Sequence, residues 1–429
     1  MLCIMVGSVL AAFLVPLAVR AWLASPRPVE APVRAAVWES MVIQISQNVY
    51  AESMNLYPAL AVLGPNVCVA WSRQVGEHEL GYYDPYYRSS SGNGGIGTWG
   101  GQTLIHSTSP ITTETMSVDV AIDDGGELHF VWSERTETPY SYTLYYSSTL
   151  GVMETITQTN DPLAAPAIAV HSDKVHVVWS RNLESIEYTS KTIGGASWGS
   201  IINIRSAEMA IQPDIAVDDG GIAHVVWSEG ALDSSADVFY KNTSNWSAIE
   251  VSGDAGNGGR SPAIAVHSND VYVVWSEFVN KGVQYIRFRQ AVNGGSWNTS
   301  RRISEAPRAA NQDSPNWLRP DIAVDSNGKI HVAFNGAGAV SDPEDIYYAY
   351  KKPGEDWRCC ENVTKSGDAN DTTPAIATGG PYVHLIWAGP PFPLDPDDNE
   401  YEVRYTRADI EAEMDKEDMY LPIIMKSAS

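Results

Sequence analysis

The sequence is short of positive charge and of cysteine. Its 429 residues hold 28 Lys and Arg against 52 Asp and Glu, a formal net charge of −24. A surface this acidic repels phosphate backbones, which excludes nucleic acid as a partner. The cysteines number four, Cys3, Cys68, Cys359 and Cys360, too few and too unevenly placed for a disulfide framework, and no CxxC pair offers a zinc clip. Cys359 and Cys360 are adjacent, a spacing that closes a ring only with strain, and they read as two ordinary residues. Charged residues make up 19% of the chain and hydrophobic ones 44%, which excludes a disordered polymer and leaves ample material for a core. GxSxG, HExxH and phosphate-loop motifs are absent, and with them the chemistry that depends on each.

One long apolar run is present. Residues 1–19, MLCIMVGSVLAAFLVPLAV, carry no charge and are followed by Arg20. The run suits a signal peptide or a single N-terminal membrane anchor over 1–25, followed by a linker over 26–40, and it implies an exported chain, secreted or held at the cell surface. No second span is seen. The end, 409–429, opens acidic (DIEAEMDKED) and finishes MYLPIIMKSAS, the form of a tail for surface sorting.

Between them, over 41–408, one phrase is written seven times: P-x-I-A-V, a short turn, then V-H-V-V-W-S. The repeats start near residues 57, 117, 165, 212, 261, 319 and 373. Aligned on Pro58, Val118, Pro166, Pro213, Pro262, Pro320 and Pro374, they are spaced by 60, 48, 47, 49, 58 and 54 residues. A period near 50 is that of a four-stranded propeller blade. After the first two strands comes a tyrosine-rich third, such as DIYYAYKK (345–352). A fourth opens on Trp99, Trp198, Trp246, Trp297 or Trp357. The seventh repeat stops after its third strand, at about Arg407. The segment VIQISQN (42–48) reads like a fourth strand without a blade. The expected fold is therefore all-β: a seven-bladed β-propeller of four-stranded antiparallel blades, closed by an N-terminal strand that completes the last blade and removes the open sheet edges. The strand-two aromatics Trp71, Trp132, Trp179, Trp227, Trp275, Phe334 and Trp387 are expected to pack between sheets. His129, His176, His224, His331 and His384 recur three residues before them, with Cys68 and Tyr272 in the same place elsewhere. Seven-fold spacing keeps these too far apart to share a metal, so a packing role is expected.

The turns SSGNGGIGTW (90–99), KTIGGASW (191–198), QAVNGGSW (290–297) and KKPGEDW (351–357) keep the glycines and tryptophan of an Asp-box and lose its aspartate. With the repeat, they make residues 41–407 similar to the sialidase-like (BNR/Asp-box) β-propeller superfamily. The resemblance implies a propeller with its site in the central funnel. For a sialidase it further implies three arginines on a substrate carboxylate, a Tyr–Glu nucleophile pair and an Asp acid. The Arg-Ile-Pro phrase of those enzymes is missing: the matching position reads Asn55-Leu56-Tyr57-Pro58, and the nearest echo is Leu318-Arg319-Pro320.

Topology directs the loops after strand two and before strand one to the same face. The residues there of mixed sign are the candidate ligand-binding set: Tyr57, Arg73, Glu134, Arg135, Arg181, Glu229, Glu277 and Arg319. Arginine forks suit a carboxylate or hydroxyl-rich ligand, and glutamates 5–10 Å apart suit glycoside hydrolysis. The same residues would also serve as salt bridges between blades. No cofactor and no catalytic metal is expected. Asp123–Asp124 and Asp218–Asp219 have the oxygen chemistry of a structural calcium site, but hairpin turns account for them. The expected protein is a monomeric, exported binding module for carbohydrate or a surface protein. The alternatives are a sialidase-type glycoside hydrolase and a multivalent lectin with sites between blades. Membrane contact is expected only through an uncleaved N-terminus.

Overall fold

The structure, a computed structural model, describes residues 38, 42–46, 55–75, 82–107, 113–137, 139–151, 153–230, 236–253, 257–280, 283–303, 308–309, 318–337, 343–365, 370–390 and 401–410. The expected leader and linker up to residue 37, and the tail beyond 410, lie outside the described residues. Contacts divide the chain into two units, 1–34 and 35–429, and all that follows concerns the second.

Seven antiparallel sheets are the seven blades, six of them taking their strands in chain order from the inside out. Blade 1 is Asn55–Leu63, Asn66–Val75, Tyr82–Ser90 and Thr103–Leu104; blade 2 is Thr113–Ile122, Leu128–Glu137, Tyr140–Ser148 and Glu154–Thr159. Blade 3 is Leu163–His171, Lys174–Arg181, Ser185–Thr192 and Ile202–Ser206; blade 4 is Ile211–Val217, Ala223–Glu229, Asp237–Asn242 and Asn245–Glu250. Blade 5 is Gly258–His267, Asp270–Asn280, Val283–Ala291 and Arg301–Arg302, with Arg308–Ala309 also on its third strand. Blade 6 is Pro320–Val324, Ile330–Gly336, Asp345–Lys351 and Arg358–Asn362. Blade 7 is Thr372–Gly379, Tyr382–Gly389 and Glu402–Asp409, and its outer strand is Ile43–Gln44. Ile43 pairs with Tyr405 and Gln44 with Arg404, so the ring closes as the sequence predicts.

The inner strands begin on a repeated distortion. Tyr57, Ala165, Gln212, Ser261 and Thr373, each directly before a proline, have φ between +47° and +53°, and the pairing with strand two slips at each of them. Proline has no N–H for the ladder and is tolerated at a bulge. A left-handed non-glycine residue costs roughly 1 kcal/mol or more, so the ring stores this strain five times around its axis.

The blades also alternate in kind, an order the single-blade reading of the sequence passed over. Odd blades turn from strand one to strand two through two residues (64–65, 172–173, 268–269, 380–381), and even blades through five (123–127, 218–222, 325–329). Each longer turn is organised by its first aspartate: Asp218 Oδ1 accepts from the Gly220 and Ile222 N–H at 3.0 and 2.8 Å, and Asp325 Oδ1 from Asn327 and Lys329 at 2.9 Å each. The inner strands alternate with the turns. Odd blades carry Ala59, Ala167, Ala263 and Ala375 where even blades carry Asp119, Asp214 and Asp321. Each of these aspartates accepts the backbone N–H of the next blade's inner strand: Asp119 from Ile168 at 2.8 Å, Asp214 from Ile264 at 2.9 Å and Asp321 from Ile376 at 2.7 Å. The repeating unit is a pair of blades clasped at the axis by one carboxylate.

Aromatic residues join the blades further out. The strand-two tryptophans are buried, as expected. In four blades the tryptophan before the outer strand sets its ring edge-on against the third strand of the preceding blade: Trp198 on Tyr146, Trp297 on Tyr240, Trp357 on Phe288 and, across the closure, Trp99 on Tyr405, with centroids 4.9–5.1 Å apart. Trp38 does the same for blade 7, against Tyr348 at 5.1 Å. The Trp246 side chain lies outside the described residues. The five strand-two histidines each pair Nδ1 with a tyrosine hydroxyl at 2.7–2.8 Å, which is the expected packing role. Cys68 fills the same place without such a bond, and burial pushes its thiol far up. Cys359 and Cys360 differ from expectation: they are joined as a vicinal disulfide across a cis peptide bond.

The closing seam is tight. The Asn93 carbonyl in the blade 1 turn accepts from Tyr405 Oη at 3.3 Å and Arg407 Nη1 at 2.6 Å. Beside it, Gly94 has φ +70°, and any Cβ there would overlap the Tyr405 hydroxyl. Gly94→Ala is therefore expected to destabilise the protein by about 1–3 kcal/mol, through strain and overpacking together. Gly97→Ala, also at positive φ but with nothing within 4 Å, should show the strain alone. Equal melting temperatures for the two variants would show that the seam tolerates the intrusion.

Candidate functional site

Strands one and three start, and strands two and four end, on one face of the ring. Its connections are the longer ones, as between Gly389 and Glu402 or Arg302 and Pro320. Loops of varied length on a rigid scaffold are where binding groups concentrate.

Near the axis, among the described residues, the face offers two open side chains. Tyr57 of blade 1 is 43% exposed, and the Arg319 guanidinium of blade 6, also exposed, lies 5.9 Å from its ring centroid. Blades 2 to 5 stand between these two in chain order and only blade 7 around the ring, so it is ring closure that brings them together. Behind Arg319 runs a buried polar chain. Its backbone N–H donates to Asn335 Oδ1 at 2.7 Å, and Asn335 Nδ2 donates to Glu344 Oε2 at 2.7 Å. Burial raises the Glu344 carboxyl, against the pull of Asn335 and Arg319. Burial also raises the Tyr401 phenol, helped by Glu344 and Asp371. Asp371 Oδ1 accepts from the Trp387 indole at 3.1 Å. In the opposite half, Gln212 Oε1 accepts from the Ser261 backbone N–H at 3.2 Å, linking blades 4 and 5.

The other candidates stand further out, at the ends of second strands, and are held by partners. Glu134 is buried; its Oε1 accepts from the Trp132 indole at 2.7 Å and faces His106 Nδ1 at 2.7 Å. That hydrogen bond is the main reason the His106 pKa rises, with Asp84 adding a smaller pull. Arg73 is buried in blade 1, opposite Asp84 in register and 5.2 Å from the Tyr86 ring, on the strand face that carries Trp71 toward blade 7. Glu229 is gripped by Arg205 of the preceding blade, at 2.8 and 2.5 Å. Glu277 is fully buried. Burial alone would raise its carboxyl, but Arg287 and Arg302, each at 2.8 Å, with Asn257 at 2.9 Å, outweigh that and hold it below its usual range. Arg181 pairs with Asp161 at 2.9 Å and Glu187 at 3.3 Å, and Arg135 with Glu137 at 2.9 Å.

The structure thus gathers the eight sequence candidates into three settings. Tyr57 and Arg319 meet at the mouth, Glu134 meets His106 between blades 1 and 2 while Arg73 stands beside Asp84 and Tyr86 in blade 1, and the remaining four are dispersed in their own blades. Glu344, Asp371 and Tyr401 are residues the sequence reading missed. They stand outside the recurring phrase, and nothing in their spacing links them to Arg319.

No family model matches the chain, and neither does any curated protein. Among solved structures it is similar to the intramolecular trans-sialidase of Ruminococcus gnavus, at 12% identity over 85% of this chain and 97% of that one, with a TM-score of 0.47. It is also similar to a protein of unknown function from Dyadobacter fermentans (9% identity, 88% and 99% covered, TM-score 0.49). A third is the Penicillium chrysogenum α-L-arabinanase (13% identity, 86% and 99% covered, TM-score 0.46). At this distance the likeness is one of fold.

Proposed function

We propose that this β-propeller is an exported, non-catalytic binding module that takes carbohydrate or a surface protein at the loop-bearing mouth of the ring, around Tyr57 and Arg319. One observation carries the reading. Glu134, Glu229 and Glu277, the glutamates that would have to act as acid and base, are spent on fixed partners, while the open groups at the mouth are an aromatic ring and an arginine fork. A ring face suits the apolar face of a sugar, and a guanidinium suits carboxylates and hydroxyls.

The rival reading, a glycoside hydrolase of sialidase type, draws on Tyr401, Glu344 and Asp371, which stand close together behind Arg319. Against it is the direction of the phenol's shift: a nucleophilic tyrosine needs its proton lost more easily, and Tyr401 holds it more tightly.

The test is a glycan array run beside turnover of a fluorogenic sialoside. Retained glycan without turnover is expected, with Arg319→Ala and Tyr57→Ala each weakening capture by about tenfold or more, as for central anchors of an interface. Turnover lost in both Glu344→Gln and Tyr401→Phe would replace this reading with the hydrolase.

A further inference from the structure

On the opposite face, the five-residue turn of blade 2 differs from both its sisters in the chemistry of its last side chain. In blades 4 and 6 the strand-two histidine turns Nε2 to the first aspartate of the turn and bonds it: His224 to Asp218 Oδ2 at 3.2 Å, His331 to Asp325 Oδ2 at 3.5 Å. In blade 2, His129 has the same surroundings and the same Nδ1 contact, with Tyr146 Oη at 2.8 Å. Its side chain is fully buried, and Nε2 lies 3.4 Å from Asp123 Oδ2, yet in a direction that makes no hydrogen bond. The residue two before the histidine is the difference. Blade 4 has Ile222 there and blade 6 Lys329; blade 2 has Glu127. One donor atom each from Asp123, Glu127 and His129 lie within 4.8 Å of one another.

A second carboxylate beside a histidine–aspartate pair leaves two negative groups and a buried ring nitrogen facing one another, an arrangement that a cation between them would stabilise. Other bonds orient the ligands. Asp123 Oδ1 is occupied by the Glu127 N–H at 2.8 Å, leaving Oδ2 to turn inward, and Glu127 Oε1 takes the Leu150 N–H at 3.1 Å, leaving Oε2. Tyr146 at Nδ1 plays the part of an outer partner that steadies a ligating imidazole.

We propose that Asp123, Glu127 and His129 form a binding site for a divalent transition-metal ion, with Zn2+ as the ion that the donor set suits. One imidazole with two carboxylates matches zinc, whose ligand bonds run about 2.0–2.2 Å, and leaves a fourth position for water. Calcium seeks six to eight oxygens and has little use for the ring nitrogen. Asp124 is exposed and outside the group, so the site differs from the Asp123–Asp124 pair that the sequence offers to calcium.

The experiment titrates the metal-free full chain with Zn2+ against a chromophoric chelator, beside Glu127→Ile, which installs the residue blade 4 already has. Asp123→Asn, which keeps the Oδ1 acceptor of the turn, is the second variant, and melting curves in chelator confirm that both fold. The wild type is expected to bind one equivalent more tightly than either variant by tenfold or more, and a hundredfold excess of Ca2+ should leave it bound. Identical titrations for wild type and both variants would overturn the site. Displacement of Zn2+ by equimolar Ca2+ would overturn the donor set.

Discussion

Ile45→Asp is expected to open the ring. Ile45 is fully buried against Trp71, Ile386, Val403 and Tyr405 at the seam between blades 7 and 1. Its N–H donates to the Val403 carbonyl at 2.8 Å, and Ser46 Oγ accepts from the Val403 N–H at 2.9 Å. Removing the side chain alone would cost about 2–5 kcal/mol, and a carboxylate without a partner at that place costs more. The loss falls where the two ends of the sheet array meet, so the unpaired edge of Glu402–Asp409 is exposed with it. Calorimetry should show a melting temperature lowered by many degrees and a less cooperative transition. Val42→Asp, three residues away and 47% exposed, is the control and should melt with the wild type. If Ile45→Asp also melted with the wild type, the outer strand would be an ornament of blade 7 and not its closure.

The second large effect is in pH. Asp119, Asp214 and Asp321 surround the axis on the inner strands, a solvent-touched position packed on all sides by protein. Burial is the main cause that raises them, to about 7, 6 and 7, and mutual repulsion adds to it for Asp119 and Asp321. A carboxyl raised in the folded state holds a proton that the unfolded chain has already lost. Its stabilisation is complete below the unfolded pKa near 4 and is lost as pH climbs through 6 to 7. Each group is worth at most roughly 3–4 kcal/mol, the coupled three less than their sum. His176 and His384, both pressed by burial to about 4, and His224, lowered for the same first reason, act oppositely: their neutral forms favour the fold at high pH. The comparison that isolates the aspartates is the triple variant Asp119→Asn, Asp214→Asn, Asp321→Asn. Between pH 7.5 and 5 the wild type should gain stability, or lose little. The variant should lose it, since the three depressed histidines then outweigh the raised His106 and Glu344. The slope is the proper readout, because asparagine surrenders one N–H acceptor at each clasp and shifts stability at every pH alike. Parallel slopes would show the three carboxyls ionised at neutral pH in the folded protein.

Much of the molecule follows from its repeat. A phrase of alternating small and β-branched residues, a turn, and a strand ending in tryptophan can only be a blade that needs neighbours. Seven such phrases with one strand missing at one end and spare at the other can only be closed by joining them. Local pattern sufficed there because strand period, turn chemistry and core composition are properties of adjacent residues. The histidines and tryptophans were legible for the same reason: each repeats at one register and meets the same kind of partner every time.

Meetings between distant residues were not legible. Arg319 stands 262 positions from Tyr57, and no spacing in the chain announces their contact; the ring's curvature makes it. Whether a glutamate after a strand-two tryptophan stays open or is taken by an arginine was settled by which side chain the neighbouring blade happened to place there: Arg205 for Glu229, His106 for Glu134. The alternation of aspartate and alanine on the inner strands was written plainly in the sequence. Its meaning, a clasp between blades, came only with the geometry that sets each aspartate beside the next strand's N–H. The physical division is one of range. Periodicity and turn type are decided within a few residues and can be read along the chain; charge pairing, burial of a carboxyl and the company a histidine keeps depend on which strands the closed ring makes neighbours.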